Sequence, residues 1–240
     1  MLIEVCANSL QSALNAEKAG ANRIELCTEL GVGGVTPSYG LITAVKEQVN
    51  IPVHVLVRPR CGHFTYSKTE FEVLLKDIEF CKNLGVDGIV SGVLNSDATL
   101  DLERTKQLVE LSKPLHFTFH RAFDWVSNPL KVLSKLEAIG VDTILTSGKH
   151  LTAENGIELL KELNSVADKI SIMAGAGVNL NNIKKFMHIG FKAIHLSGTS
   201  FGNEVSINRK VPMNSQKHLE EHHVAVTNVE VIRQIVQSVK

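Results

Sequence analysis

The sequence predicts a single-domain (β/α)8 barrel of the TIM type over residues 1–240, and three observations predict it. First, four segments repeat one pattern, a helical run that ends at Gly and passes into a short β-branched strand: KAGANRIEL at 18–26, NLGVDGIV at 83–90, AIGVDTIL at 138–145 and HIGFKAIHL at 188–196. Second, VHVLV at 53–57, LHFTF at 115–119 and KISIMAG at 169–175 fall between these repeats, and LIEVC at 2–6 opens the series, which makes eight strands. Third, helical periodicity follows each strand, over 9–19, 38–49, 67–84, 101–112, 128–138, 152–165, 179–188 and 228–238. Such alternation specifies a parallel sheet with right-handed crossovers, and eight units close it. An open doubly wound sheet is the rival reading.

The elements carry their own punctuation. Ser9, Ser38, Ser67, Asn128 and Thr152 stand where N-caps are needed, since a short polar side chain accepts from the first orphan amides of a helix. The stretch 198–227, GTSFGNEVSINRKVPMNSQKHLEEHHVAVT, reads as a long polar connection between the last strand and the last helix, of a length usually found in functional loops. No interdomain linker interrupts the series.

Composition narrows the function. Lys plus Arg equals Asp plus Glu at 25 each, so no net field draws the chain to nucleic acid or to an anionic membrane. The opening MLIEVCANS lacks a basic run followed by a long apolar one, and no stretch approaches a membrane span, so a cytoplasmic location is expected. Cys6, Cys27, Cys61 and Cys81 are widely spaced, without C-x-x-C, and are expected as free thiols.

In a closed barrel the outward strand residues pack under helices and must be apolar, which turns the polar ones into the lumen. With Ile3, Val5, Ile24 and Leu26 outward, Glu4, Cys6, Glu25 and Cys27 point in, so two adjacent strands present the same Glu-x-Cys pair. The third strand sends in His54 and Arg58, the fifth His116, Thr118 and His120, and the eighth His195 and Ser197. Charges converging on one lumen imply mutual pairing, a bound ligand or both. A satisfied polar network that only fixes register is the plainer alternative.

Two chemistries suit this lining. Glu25, His54, Arg58, His120, Arg121 and Asp124 gather at the carboxyl ends of strands, where a barrel enzyme works, and are the candidate catalytic set for a small phosphorylated or carboxylated metabolite. Arg60, with Gly175 and Gly177 after the seventh strand and Ser197 and Gly198 after the eighth, forms a candidate anion site, because loops seven and eight often hold phosphate in this fold. Gly175-Ala176-Gly177 is read as running into a helix start at Asn179. There is no G-x-S-x-G elbow, no H-E-x-x-H and no dinucleotide fingerprint, so no organic cofactor is indicated. His222-His223, between acidic residues, reads as an exposed charged loop, and Cys61 with His63 as tolerated loop residues rather than a metal pair.

The motifs E-V-C-x-x-S and R-I-E-L-C, followed in order by G-G-V-T-P-S-Y-G-L-I, P-V-H-V-L-V-R-P-R, F-x-Y-S, T-F-H-R-A-F-D, I-L-T-S-G and M-A-G-x-G-V, together resemble the copper homeostasis protein CutC family over residues 2–200. That resemblance implies a cytoplasmic, homo-oligomeric barrel (dimer or tetramer) linked to copper tolerance and proposed to bind Cu(I), with the ligands falling on Cys6 and Cys27. Soft thiolates suit Cu(I), and strands about 4.8 Å apart bring two such sulfurs within reach of one ion, in linear or near-linear coordination. The alternative is that both cysteines are merely small buried hydrophobes. Three positions depart from the family pattern: His63 replaces Asp, Lys149 replaces the second Gly of T-S-G-G, and Ala176 interrupts a run of glycines.

Overall fold

In the computed structural model, which describes residues 1–202, Val211 and 224–239, the strands β1 (Leu2–Ala7), β2 (Arg23–Leu26), β3 (Val53–Leu56), β4 (Gly88–Ser91), β5 (His116–Phe119), β6 (Thr143–Thr146), β7 (Ser171–Ala174) and β8 (Ala193–Leu196) close in sequence order. Every pairing around the barrel is parallel, ending with β8 beside β1. The open sheet is thereby excluded. His222 and His223 lie outside the described residues.

Helices α1 (Leu10–Ala19), α2 (Tyr39–Gln48), α3 (Lys68–Asn83), α4 (Leu102–Ser112), α5 (Pro129–Ala138), α6 (Ile157–Val166), α7 (Ile183–Ile189) and α8 (Val229–Val239) follow the strands. Ser9, Ser38, Ser67 and Asn128 cap as expected, each accepting from the amide three residues on, and Ser67 completes a capping box with Glu70. The greasy layer lies between barrel and helices: Ile3, Val5, Ile24, Leu26, Val53, Val55, Val57, Phe117 and Phe119 are all buried there.

Two helices start later than the periodicity suggests. The loop before α6 folds back so tightly that a Cβ on Gly156 would lie 2.0 Å from the Ser147 carbonyl, and Thr152 heads a turn instead of the helix. Ahead of α7 the asparagines bond locally, Asn182 Oδ1 accepting from the Asn179 amide at 2.8 Å and Asn179 Oδ1 from Asn181 at 2.9 Å. Such short side chains compete with helical bonding and delay its onset to Ile183.

The ends of the long polar connection are strands rather than loop. β9 (Thr199–Gly202) pairs antiparallel with β10 (Val224–Thr227), and the pair is pinned to α1, where Asn15 donates to the Thr227 carbonyl at 2.8 Å and Ser12 accepts from the Thr227 amide at 3.1 Å. Gly198 is a glycine for a packing reason: at φ +54° a Cβ would stand 2.4 Å from Ile232 of α8.

Two residues singled out in the sequence are L-residues in the left-handed region, Lys149 at φ 64° and Ala176 at φ 78°. A Cβ costs about 1 kcal/mol or more in that region. Ala176→Gly is therefore expected to stabilise the protein by about 1 kcal/mol and to raise Tm by about 2–4 °C in a calorimetric melt.

Candidate functional site

The alternation of β1 and β2 sets the floor of the mouth. Glu4 is wholly buried; its Oε2 accepts from Arg23 Nε at 2.5 Å and its Oε1 lies 2.8 Å from His195 Nδ1. All three stand level, since Glu4 is in register with Arg23 on one side and with His195 on the other. Burial alone would raise the Glu4 pKa, but the His195 bond and the Arg23 charge hold it at about 2. Glu4 is thus ionised, and His195 donates to it through Nδ1, which fixes the orientation of the ring. Burial pulls the His195 pKa down, yet the Glu25 and Glu4 carboxylates raise it above its ordinary value.

Two residues nearer the mouth, Cys6 is in register with Glu25. Cys6 Sγ lies 3.4 Å from Cys27 Sγ and 3.9 Å from Glu25 Oε1. Glu25 Oε2 has no hydrogen-bond partner although buried, and burial pushes its pKa up to about 7. The hydrogen bond with Cys27, together with burial, raises the Cys6 thiol well above its ordinary pKa. Without a cation, Cys6 is a protonated thiol and a poor nucleophile. Ligand atoms of Cys6, Glu25 and His195 lie within 4.8 Å of one another, a grouping that could hold a metal ion.

Histidines occupy the rest of the lumen because β4 makes room. A Cβ on Gly88 would sit 2.6 Å from the His54 ring, and one on Gly92 would sit 2.8 Å from the His120 ring. His54 lies against His116, with ring centroids 4.9 Å apart, and 4.0 Å from Glu4 Oε2. Burial drives both His54 and His120 down to about 3, with the Arg23 charge adding to the effect on His54 and that of Arg58 on His120. These imidazoles stay neutral in the fold while the unfolded chain protonates them near 6.5, so stability falls as pH falls from 6.5 toward 3. Glu25 works the other way, its contribution full below 4.5 and lost as pH rises to 7. His195, raised, acts with Glu25, and His116, lowered by burial, acts with His54 and His120. With three imidazoles against one imidazole and one carboxylate, Tm is expected to drop by several degrees between pH 7 and pH 4.5 in thermal melts.

Of the candidate catalytic, anion-binding and metal residues, Cys6, Glu25, Arg58, His120, Arg121, Gly177, Ser197 and Gly198 line a single cavity of about 640 Å³, as do His63, Ala176 and His195. The others serve elsewhere. Cys27 is fully buried against Gly34 and Leu56, and His54 lies deeper in the lumen. Asp124 is absorbed by the β6 exit, accepting from Arg121 Nε, Thr146 Oγ1, the Ser147 amide and hydroxyl and the Lys149 amide, which leaves it no free acceptor for chemistry. Arg60 pairs with Glu70 at 2.5 Å and with carbonyls of its own loop, so it fastens that loop rather than an anion. Arg58, although it lines the cavity, spends its fork on the carbonyls of Val32, Gly34 and Gly62. The Gly175 amide donates to the Thr146 carbonyl, and α7 starts at Ile183, so neither offers an anion the expected cradle.

Sequence reasoning missed Arg23, which shares the inward face with Glu25 by simple alternation, and the part played by His195 as partner of Glu4. It also missed Gly88 and Gly92, for which no local signal exists.

Fold and mouth together define a (β/α)8-barrel protein with a centre of thiol, carboxylate and imidazole at the carboxyl ends of its strands. The chain belongs to the CutC family, whose model matches residues 1–200. A family protein CutC from Proteus mirabilis is 45% identical over 221 residues, covering 91% of this chain and 88% of the relative. One from Erwinia tasmaniensis is 40% identical over 232 residues, with 96% and 92% covered. Among solved structures, a protein described as the copper homeostasis protein CutC of Streptococcus agalactiae superposes with a TM-score of 0.78 at 34% identity, covering 82% of this chain and 98% of that one. A thiamine phosphate pyrophosphorylase from Pyrococcus furiosus, at 14% identity and a TM-score of 0.62, shares the fold alone.

Proposed function

We propose that the protein binds Cu(I) as cargo through Cys6 and Cys27, in the cytoplasm and as a homo-oligomer (dimer or tetramer), as part of copper homeostasis. The observation that carries this reading is the pair of sulfurs 3.4 Å apart, one lining the cavity and the other sealed behind it. The donor chemistry fits: soft thiolates select Cu(I), and a bound cation deprotonates a coordinating thiol that is otherwise protonated. The sulfurs are too close for the linear arrangement expected from sequence. With metal–thiolate bonds of about 2.3 Å, a spacing of 3.4 Å subtends about 95°, which calls for a third donor. Family membership and the likeness to the Streptococcus agalactiae protein described as a copper homeostasis protein support the copper role. Anaerobic titration of the reduced protein against a competing Cu(I) chelator tests it. Stoichiometric binding is expected for the wild type and none for Cys6→Ser/Cys27→Ser; binding indifferent to the two substitutions would overturn it.

A second reading, an enzyme acting on a small phosphorylated or carboxylated metabolite, is supported by one observation. Glu25 Oε2 and His120 Nε2, both buried and unpartnered, belong to residues lining a cavity large enough for such a molecule. There Glu25 would serve as base and Arg121 as anion contact.

A further inference from the structure

Resting on the copper reading, we propose that the cavity above the thiol pair is a subsite for a small organic thiol bearing a carboxylate, which arrives bound to Cu(I) and remains as the metal's third ligand.

The bent bite of the two sulfurs leaves one side of the metal open, and the opening faces the cavity, because Cys6 lines it while Cys27 is fully buried. The protein donors nearby are poorly matched to that position. Glu25 offers a hard oxygen, and His195, held through Nδ1 by Glu4, offers through Nε2 an imidazole nitrogen of intermediate softness. A soft ion prefers another thiolate.

The cavity is also far larger than an ion needs. Its 640 Å³ would hold on the order of twenty waters at about 30 Å³ each, and it falls in the range of sites for small organic molecules. Leu30, Leu56, Phe64, Trp125, Leu145 and Val178 make much of the wall apolar. Two donors suit a carboxylate. His120 is 5% exposed; its Nδ1 accepts from the Ala122 amide at 3.3 Å, so Nε2 carries the proton, and that N–H has no acceptor. Arg121 directs Nε to Asp124 and Nη2 to Ser147, leaving Nη1 without a protein partner among the described residues.

The exchange balances without redox chemistry. A Cu(I) bis-thiolate anion meets the two protein thiols; one carrier thiolate leaves as its thiol with one cysteine proton, the other cysteine proton goes to solvent, and copper keeps two cysteine sulfurs and one carrier sulfur.

Reduced glutathione, which carries a thiol and two carboxylates, is the probe. Native mass spectrometry of the reduced full chain, loaded with one equivalent of Cu(I) in excess glutathione, is expected to give protein with one copper and one glutathione. Trp125, the only tryptophan, lies in the cavity wall and reports the same event by fluorescence. Arg121→Ala is expected to weaken glutathione retention about ten-fold, the loss of one charge-assisted hydrogen bond, while copper stays. With β-mercaptoethanol as carrier, which has no carboxylate, the substitution should have no effect on thiol retention. Copper retained without any thiol, or glutathione held equally by Arg121→Ala, would overturn the subsite; failure to retain copper from either carrier would overturn the copper reading itself.

Discussion

Glu4→Gln is expected to destabilise the protein by about 3–5 kcal/mol, the effect of removing one partner from a buried ion pair. The carboxylate is wholly buried, accepts from Arg23 at 2.5 Å and lies 2.8 Å from His195. A glutamine keeps the volume but leaves the Arg23 guanidinium uncompensated in the lumen, where Met173 Sδ, 3.7 Å from Nη2, is a poor substitute. Chemical denaturation of the variant and the wild type at pH 7 measures the difference. The gap should narrow as pH falls below the ordinary value of 4.5, because the unfolded chain of the wild type then takes up a proton that folded Glu4 refuses down to about 2. A loss below 1 kcal/mol would mean that the network is not what holds the floor of the mouth.

Cys27→Ala is expected to weaken Cu(I) binding by more than about a hundred-fold, although Cys27 does not line the cavity. Changes in the outer shell of metal sites already cost about 10–100-fold, and Cys27 is proposed as a direct ligand. The same substitution at Cys61, exposed on the loop after β3, should leave affinity unchanged. Chelator competition with each single variant separates the two positions. Equal affinity of Cys27→Ala and wild type would reduce the pair to Cys6 alone.

How far the sequence disclosed these features depended on distance along the chain. Strands, their faces and four N-caps were legible because each is a local pattern: Ile3 and Val5 outward force Glu4 and Cys6 inward. The β9–β10 pairing was not, since Thr199–Gly202 and Val224–Thr227 stand far apart in sequence and neither segment carries a strong strand signature. The delayed starts of α6 and α7 came from backbone approach at Gly156 and from Asn179 and Asn182, both invisible to periodicity. At the site, alternation placed Cys6, Glu25, His120 and His195 correctly in the lumen. It could not tell that the long side chains of Arg58 and Arg60 turn back to carbonyls, nor that Asp124 is consumed by the β6 exit. The stagger of the barrel was equally hidden: Cys6 is level with Glu25 rather than with Cys27, so the sulfurs meet on a diagonal, at a spacing that bends the site.

X-ray absorption at the copper edge, on reduced protein loaded with one equivalent of Cu(I), reads the donors around the bound ion. Binding through Cys6 and Cys27 should give monovalent copper in a three-coordinate environment with at least two sulfur neighbours at about 2.3 Å, reduced by one sulfur in Cys27→Ala. A spectrum built from nitrogen and oxygen neighbours alone, or one unchanged by loss of Cys6 and Cys27, would contradict it.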